Sequence, residues 1–322
     1  MTNQTWFLIF RTMRPRQWTK NLLVFAALIF SQNLFNSSML WDSTIAFIIF
    51  CLLSGSVYTL NDLLDIKQDR LHPKKSKRPL ASGKLKPATA IISGMILVTL
   101  SLANAFWLNT NFALIALSYF ILQIAYSTIL KHVVILDVLA VSIGFVLRAI
   151  AGAEVISVPI SSWLLVCTIL LALFLSLGKR RHEILLLEEN AADHRKILYE
   201  YSPELLDQMI SVVTASTVVA YALYTMSAET IAKFQTDNLK YTIPFVLYGI
   251  FRYLYLIHQK SEGGSPEKIL LNDKPLQLLY LSCFSILYRV HLPCPAIYQT
   301  FLFEMYFYLK VKVHLQYCFA AL

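Results

Sequence analysis

Read from the amino end, the chain alternates long apolar runs with short polar breaks. The runs fall at roughly 22–38, 43–60, 88–107, 111–129, 134–152, 159–178, 209–228, 240–258 and 276–288, the last without a clear end. Nearly all have the length that a helix needs to cross a hydrocarbon core of about 30 Å. They are too long and too continuous to be the strands of a closed barrel, the other fold that satisfies backbone polar groups in lipid. The pattern predicts an all-α polytopic membrane protein with about nine transmembrane helices in one membrane domain. Ahead of the first run, the apolar "WFLIF" is short and is followed, not preceded, by Arg11, Arg14, Arg16 and Lys20. That order fits a short helix lying in the interface and not a cleavable signal.

Composition agrees: of 322 residues, 57% are hydrophobic and 15% charged, which excludes an ordinary soluble domain. A net charge of +9 raises the question of nucleic acid, but the distribution of the cations answers it. With the amino end in the cytoplasm, 22 of the 28 Lys and Arg residues fall in segments 11–20, 61–87, 131, 179–207 and 252–274, all on one side. The positive-inside rule makes that side the cytoplasm of the cell (inner) membrane and accounts for the basic excess without nucleic acid. Cys51, Cys167, Cys283, Cys294 and Cys318 have no metal-ligand spacing and imply no disulfide framework. Acidic residues nearly vanish after about Leu279, leaving Glu304. Residues 1–278 therefore read as the membrane domain. Residues 279–322 read as a last helix with an atypical tail, or a tail foreign to the ancestral reading frame.

Two long cytoplasmic segments, 61–87 and 179–207, hold the residues with chemical potential. In "NDLLDIKQD", Asn61, Asp62, Asp65 and Asp69 fall within an arc of about 100° if the helix continues at about 100° per residue. Converging carboxylates repel unless a cation sits among them. Mg²⁺ is the natural candidate, because it takes one or two carboxylates and shares its other positions with water and phosphate. A solvated helix end is the plain alternative. The following "HPKKSKRPLASGK" carries Lys74, Lys75, Lys77, Arg78 and Lys84 on a stretch broken by Pro73, Pro79 and Gly83. Most of these cations suit topology and lipid headgroups. Arg78, between Lys77 and Pro79, is the phosphate candidate.

These residues resemble the UbiA superfamily of intramembrane prenyltransferases, whose signature NDxxDxxxD is matched by residues 61–69 in type, spacing and position at the end of a span. The resemblance implies nine helices around a central cavity with aspartate-rich segments at its cytoplasmic mouth. "MRPRQWTKNLLVFAALIF", "RLHPKKSKRPLASGKL", "YSTILKHVVILDVL", "RAIAGA", "GKRRHEILLLEE" and "GGSPEKILLNDKPL" are similar to the branch of that family that transfers phosphoribose. What that branch implies is transfer of 5-phosphoribose from phosphoribosyl diphosphate (PRPP) to a polyprenyl phosphate, with Mg²⁺ and release of pyrophosphate. Aromatic prenyltransferases of the family carry a second motif, DxxxD, after the sixth helix. Here Gly178, Lys179, Arg180, Arg181 and Glu183 stand instead, with Glu188, Glu189 and Asp193 beyond. Cations at that place suit a donor rich in phosphate or an anionic acceptor headgroup, since Arg grips phosphate in bidentate fashion and Lys acts as a point charge.

Ionisable residues at membrane depth are costly and face a cavity or a partner. Lys131 and Asp137 flank the start of the fifth predicted span and Arg148 lies deeper in it. Asp137 is expected to fix Lys131 for phosphate. Arg148 is expected either to face substrate or to pair with Glu154. Tyr126 is read as lining the same cavity. Arg14, Gln17 and Lys20 are expected to share a face, with Lys20 reaching the acceptor phosphate or simply snorkelling. Glu267 and Asp273 belong to a matched stretch without a derivable role, and no histidine grouping looks catalytic. The expected machinery is thus Asn61, Asp62, Asp65 and Asp69 on Mg²⁺, Asp62, Asp65, Asp69 and Lys179 in catalysis, and Lys20, Arg78, Tyr126, Lys131, Asp137, Arg148 and Arg180 on substrate. Two rival readings remain: prenyl transfer from a polyprenyl diphosphate to an aromatic or other acceptor, and an anionic-solute transporter.

Overall fold

The computed structural model describes residues 3–31, 33–71, 75–189, 200–260, 264, 269, 272–279 and 282, with side chains described for all but residues 3 and 186–189. The helices are α1 (Asn3–Thr12), α2 (Ala26–Phe30), α3 (Ser37–Leu64), α4 (Ile66–Leu71), α5 (Pro87–Leu108), α6 (Thr110–Thr128), α7 (Leu136–Val155), α8 (Ser162–Glu189), α9 (Pro203–Met226), α10 (Ala228–Phe234) and α11 (Ile243–Gln259). Among the described residues six helices are long and apolar enough to cross a membrane: α3, α5, α6, α7, α8 and α9, with the α6 span running on to His132 and the α8 span ending at Leu185. They answer the second to seventh predicted spans. The eighth is α11, only 17 residues long, and most of the ninth lies outside the described residues, as does the tail beyond it.

The first predicted span, 22–38, is not one helix. Pro15–Phe25 forms a 3-10 stretch, α2 lasts five residues, and α3 begins at Ser37. Runs of 3-10 helix this long are uncommon, and backbone away from α geometry is tolerated in a membrane protein where other parts of the protein bury it. Three contacts hold the stretch. Asn21 accepts a hydrogen bond from Arg148 Nε at 2.8 Å and donates to Ser54 Oγ at 3.1 Å. Val24, Ala27 and Leu28 sit in the core with Phe50, Leu53 and Tyr119. Gly152 of α7 faces the Val24 carbonyl so closely that a Cβ there would lie 1.9 Å from the oxygen. Absence of a side chain at residue 152 is what lets this segment lie against α7.

The amino-terminal helix expected from "WFLIF" is α1. Ile9 packs against Leu80, Leu85 and Ala90, while Trp6, Phe7 and Phe10 stay exposed. Asn36 starts α3 by accepting from the backbone N–H groups of Ser38 and Met39 at 3.1 and 3.3 Å, which satisfies two of the donors a helix start leaves open. At 28 residues, α3 is about 42 Å long. It therefore outruns the hydrocarbon core and delivers Asn61 and Asp62 to a membrane surface. α5 packs along α3, and α7 lies between α6 and α8.

The described chain forms two compact units: the amino end through Ala220 with Tyr255–Ile269, and Tyr221–Leu254 with the described residues among 270–322. In the second unit, Arg252 grips both carboxylate oxygens of Asp273 at 2.9 and 3.3 Å, and Asp273 Oδ1 accepts the Leu276 N–H at 3.0 Å. Asp273, without a role in the sequence, is a helix cap locked by an arginine. Burial opposes its ionisation, but these bonds hold its carboxyl below the ordinary range. Glu267 lies outside the described residues.

Candidate active site

The polar residues of the first unit gather where α3 and α6 end and α7 begins. The "NDLLDIKQD" stretch does not form one continuous helical stripe. α3 stops at Leu64, Asp65 leaves helical geometry at φ −96° and ψ 9°, and α4 resumes at Ile66. The break splits the expected cluster. Asp62 and Asp69 turn inward, at 2% and 3% exposure, and share one cation: Arg78 Nη1 lies 3.2 Å from Asp62 Oδ1 and 2.5 Å from Asp69 Oδ2. Asp62 also pairs with Arg14. Asp65 points elsewhere and accepts from Lys131 Nζ at 3.2 Å. Among the described residues no three His, Cys, Asp or Glu side chains stand together as a metal-holding group. The reason is the break at Asp65 together with the cation already paired to each carboxylate.

The donor set still fits a small hard cation. Two carboxylate oxygens reach the same guanidinium nitrogen, so they bracket a point where one ion can sit, and Mg²⁺ asks for one or two carboxylates. Asp65, which accepts from Lys131, and Asn61, in the last turn of α3, belong to the same motif. Because Arg14, Arg78 and Lys131 are already present, the mouth is close to neutral as it stands. A metal and an anionic diphosphate entering together leave that balance little changed.

Arg14 was not among the expected site residues. It adopts a left-handed backbone, φ 53° and ψ 65°, just before Pro15, a conformation that costs a non-glycine residue about 1–2 kcal/mol. Its guanidinium lies 5.0 Å over the Tyr58 ring while it holds Asp62. The 3-10 geometry that follows stacks residues three apart, which places Gln17 and Lys20 on one face as expected.

A second cluster surrounds Asp137, which is 0% exposed. The expectation that it fixes Lys131 is corrected: Lys131 goes to Asp65, and Asp137 Oδ2 accepts from Arg180 Nε at 2.7 Å. Arg180 also donates to Glu183 at 2.5 Å and to the Tyr126 hydroxyl at 3.4 Å. Lys179, with its side chain 48% exposed, lies 3.9 Å from Glu183 on the next turn. Of the basic trio within α8, Arg180 is thus buried among protein partners, Arg181 is held by Asp207 at 2.5 Å, and Lys179 faces outward. Tyr201, just ahead of α9, closes the cluster by donating to Asp137 Oδ1 at 2.8 Å and accepting the Ile135 N–H at 2.7 Å. Burial pushes the Tyr201 phenol up to about 12; the Ile135 N–H opposes this and the hydrogen bond to Asp137 adds to it.

Arg148 does not pair with Glu154. Glu154 bonds to Asn111 at 2.7 Å. Arg148, 4% exposed, spends Nε on Asn21, Nη1 on the Gly144 carbonyl at 2.8 Å and Nη2 on the Tyr119 hydroxyl at 2.7 Å. In this structure it ties the 3-10 stretch to α6 and α7. Nothing in the sequence pointed to Tyr201, Tyr119 or Asn21. Their partners are 29 to 127 residues away, and an uncharged polar residue beside a span carries no signal of its own.

Fold and site together define, among the described residues, an all-helical integral membrane protein with a cluster of ion pairs where α3 and α6 end and α7 begins. Residues 22–272 match the model of the UbiA prenyltransferase family, and the chain belongs to that family. It is 35% identical over 288 residues to the decaprenyl-phosphate phosphoribosyltransferase of Mycolicibacterium smegmatis, covering 85% of this chain and 89% of that one. It is 34% identical over 291 residues to the enzyme of the same name from Corynebacterium glutamicum, covering 88% and 86%. Among solved structures, a UbiA homolog from Archaeoglobus fulgidus bound to GPP and Mg²⁺ superposes with a TM-score of 0.68 at 22% identity, over 88% of this chain and 99% of that one.

Proposed function

We propose that the protein transfers 5-phosphoribose from PRPP to a polyprenyl phosphate and releases pyrophosphate, at the cytoplasmic face of the cell (inner) membrane. The observation that carries the reading is the near full-length similarity to two enzymes named for that transfer. The lysine and arginines at 179–181, where aromatic prenyltransferases of the family have carboxylates, support it.

Asn61, Asp62, Asp65 and Asp69 are the residues that would hold Mg²⁺, and the ion, when bound, supplies positive charge against the diphosphate of the donor. Arg14, Arg78 and Lys131 now pair with those carboxylates, and a donor phosphate offers each of them an anion of higher charge. Charge-assisted bonds of this kind are about twice as strong as neutral ones. Lys179 faces outward beside the Arg180 cluster and is placed for the donor's other phosphate. Tyr126, oriented by Arg180, lines the same side. Lys20, partly buried on the 3-10 stretch, meets the acceptor phosphate. The acceptor oxygen forms the new bond to ribose C1 as the bond from C1 to pyrophosphate breaks. The lipid phosphate is an anion near neutral pH, so no strong base is needed to activate it.

Purified, correctly inserted protein incubated with Mg²⁺ and labelled PRPP, with and without decaprenyl phosphate, tests the reading. Lipid-extractable label that depends on the acceptor is the expected result. If PRPP stays intact while a polyprenyl diphosphate is consumed with an aromatic acceptor, the protein is a prenyltransferase. If neither donor reacts, and vesicles carrying the protein move an anion, it is a transporter.

A further inference from the structure

We infer that Tyr201 is a positioning residue for donor binding, acting through Asp137 and Arg180. The inference rests on the phosphoribosyl-transfer reading and adds a residue that neither the sequence motifs nor the matched family stretches single out.

Two independent features meet at its hydroxyl. The first is a strained backbone. Ile135, a β-branched residue, has φ 69° and ψ −43° immediately before α7. Conformations of this kind are costly for a β-branched residue and persist where surrounding contacts over-determine them. The Tyr201 oxygen takes the Ile135 N–H at 2.7 Å. The second is a buried charge chain. The same hydroxyl donates to Asp137 Oδ1, Asp137 Oδ2 receives Arg180 Nε, and Arg180 reaches both Tyr126 and Glu183. Glu183 in turn faces Lys179. One phenol thus fixes the start of α7 and the rotamer of a carboxylate that has no contact with solvent. That carboxylate aims the arginine behind the two side chains, Tyr126 and Lys179, assigned to the donor. Removing the hydroxyl leaves an acceptor site on Asp137 and the Ile135 N–H without their present partner. The arginine then has room to swing, and with it Tyr126 and Lys179.

The test uses the full chain in lipid. Tyr201→Phe keeps ring and volume and removes one oxygen. The KM for PRPP, measured at saturating decaprenyl phosphate, should rise about tenfold or more, as expected for losing a hydrogen bond to a charged group. The KM for decaprenyl phosphate should stay unchanged. In an Arg180→Lys background the same substitution should add little, because the effect passes through Arg180. Equal increments in both backgrounds, or a loss spread over both substrates, would overturn the inference in favour of a general packing role. If Tyr201→Phe does not accumulate as inserted protein, 3,5-difluorotyrosine at position 201 keeps the shape and the hydroxyl but ionises at lower pH than tyrosine. Ionisation removes the donor to Asp137, with Arg180 and Glu183 the other charges in the cluster. The KM for PRPP should then climb with pH over a range where wild type is flat, and a flat profile would overturn the inference. Wild-type protein inactive with PRPP ends the phosphoribosyl reading itself, whereas active wild type with an unaltered Tyr201→Phe variant ends only this one.

Discussion

Asp62 and Asp65 sit three residues apart yet belong to different pairs, one with Arg14 and Arg78, the other with Lys131. Each is expected to matter separately. Asp62→Ala and Asp65→Ala should each cut turnover more than tenfold, a barrier increase above about 1.4 kcal/mol, while the protein still inserts. The measurement is product formed per inserted molecule, and activity within tenfold of wild type would remove that aspartate from the machinery. Tyr201 gives a prediction with a defined pH sign. Its phenol is raised in the folded protein to about 12, against about 10 in an unfolded chain. The stability it contributes is therefore fully present below pH of about 10 and is lost as pH rises toward the folded value. The difference in thermal midpoint between wild type and Tyr201→Phe should be constant from neutral pH up to about 10 and shrink above it. The acidic motif and its basic neighbour Arg78 were legible in the sequence because charge is scarce in this chain and therefore conspicuous. Which cation each carboxylate takes was not legible, since Lys131 and Asp65 meet only once α3 and α6 are packed in one unit.

At the scale of the element, the decisive piece is the segment from Pro15 to Phe30, where an apolar run of near-spanning length does not form one α-helix. Hydrophobicity says that such a run is buried. It does not say whether lipid or protein buries it. Here α3, α6 and α7 do so, and Arg148 with Asn21 fixes the register. Gly152→Ala is expected to push the Val24 carbonyl off α7, at the typical cost of overpacking, about 1–3 kcal/mol. A lowered thermal midpoint of the purified protein, with a raised KM for decaprenyl phosphate as Lys20 shifts, is the predicted signature. A variant with wild-type stability would mean that α7 and the 3-10 stretch can separate at little cost.

For the molecule as a whole, the cation asymmetry predicts that the α4–α5 connection is cytoplasmic and the α5–α6 connection external. With the native cysteines removed, Ser82→Cys should resist an impermeant thiol reagent on intact cells and react after permeabilisation. Thr110→Cys should react in both. Labelling of residue 82 from outside would invert the protein and with it the cytoplasmic donor.

By itself the sequence determined the solvent of this protein and the stretches in which its charged motifs lie. Lipid leaves few ways to bury long apolar runs, and charge placement sets their orientation. The family signature lies within nine consecutive residues, so no tertiary contact was needed to read it. Only the packed structure decided that residues 15–30 join a 3-10 stretch to a short α-helix, that Arg148 bonds to Asn21 and Tyr119, and that Asp137 serves Arg180 and Tyr201 instead of Lys131. Each of those outcomes depends on groups far apart in sequence competing for a few buried hydrogen-bond partners. That competition is settled by distance and geometry, which a linear pattern does not contain.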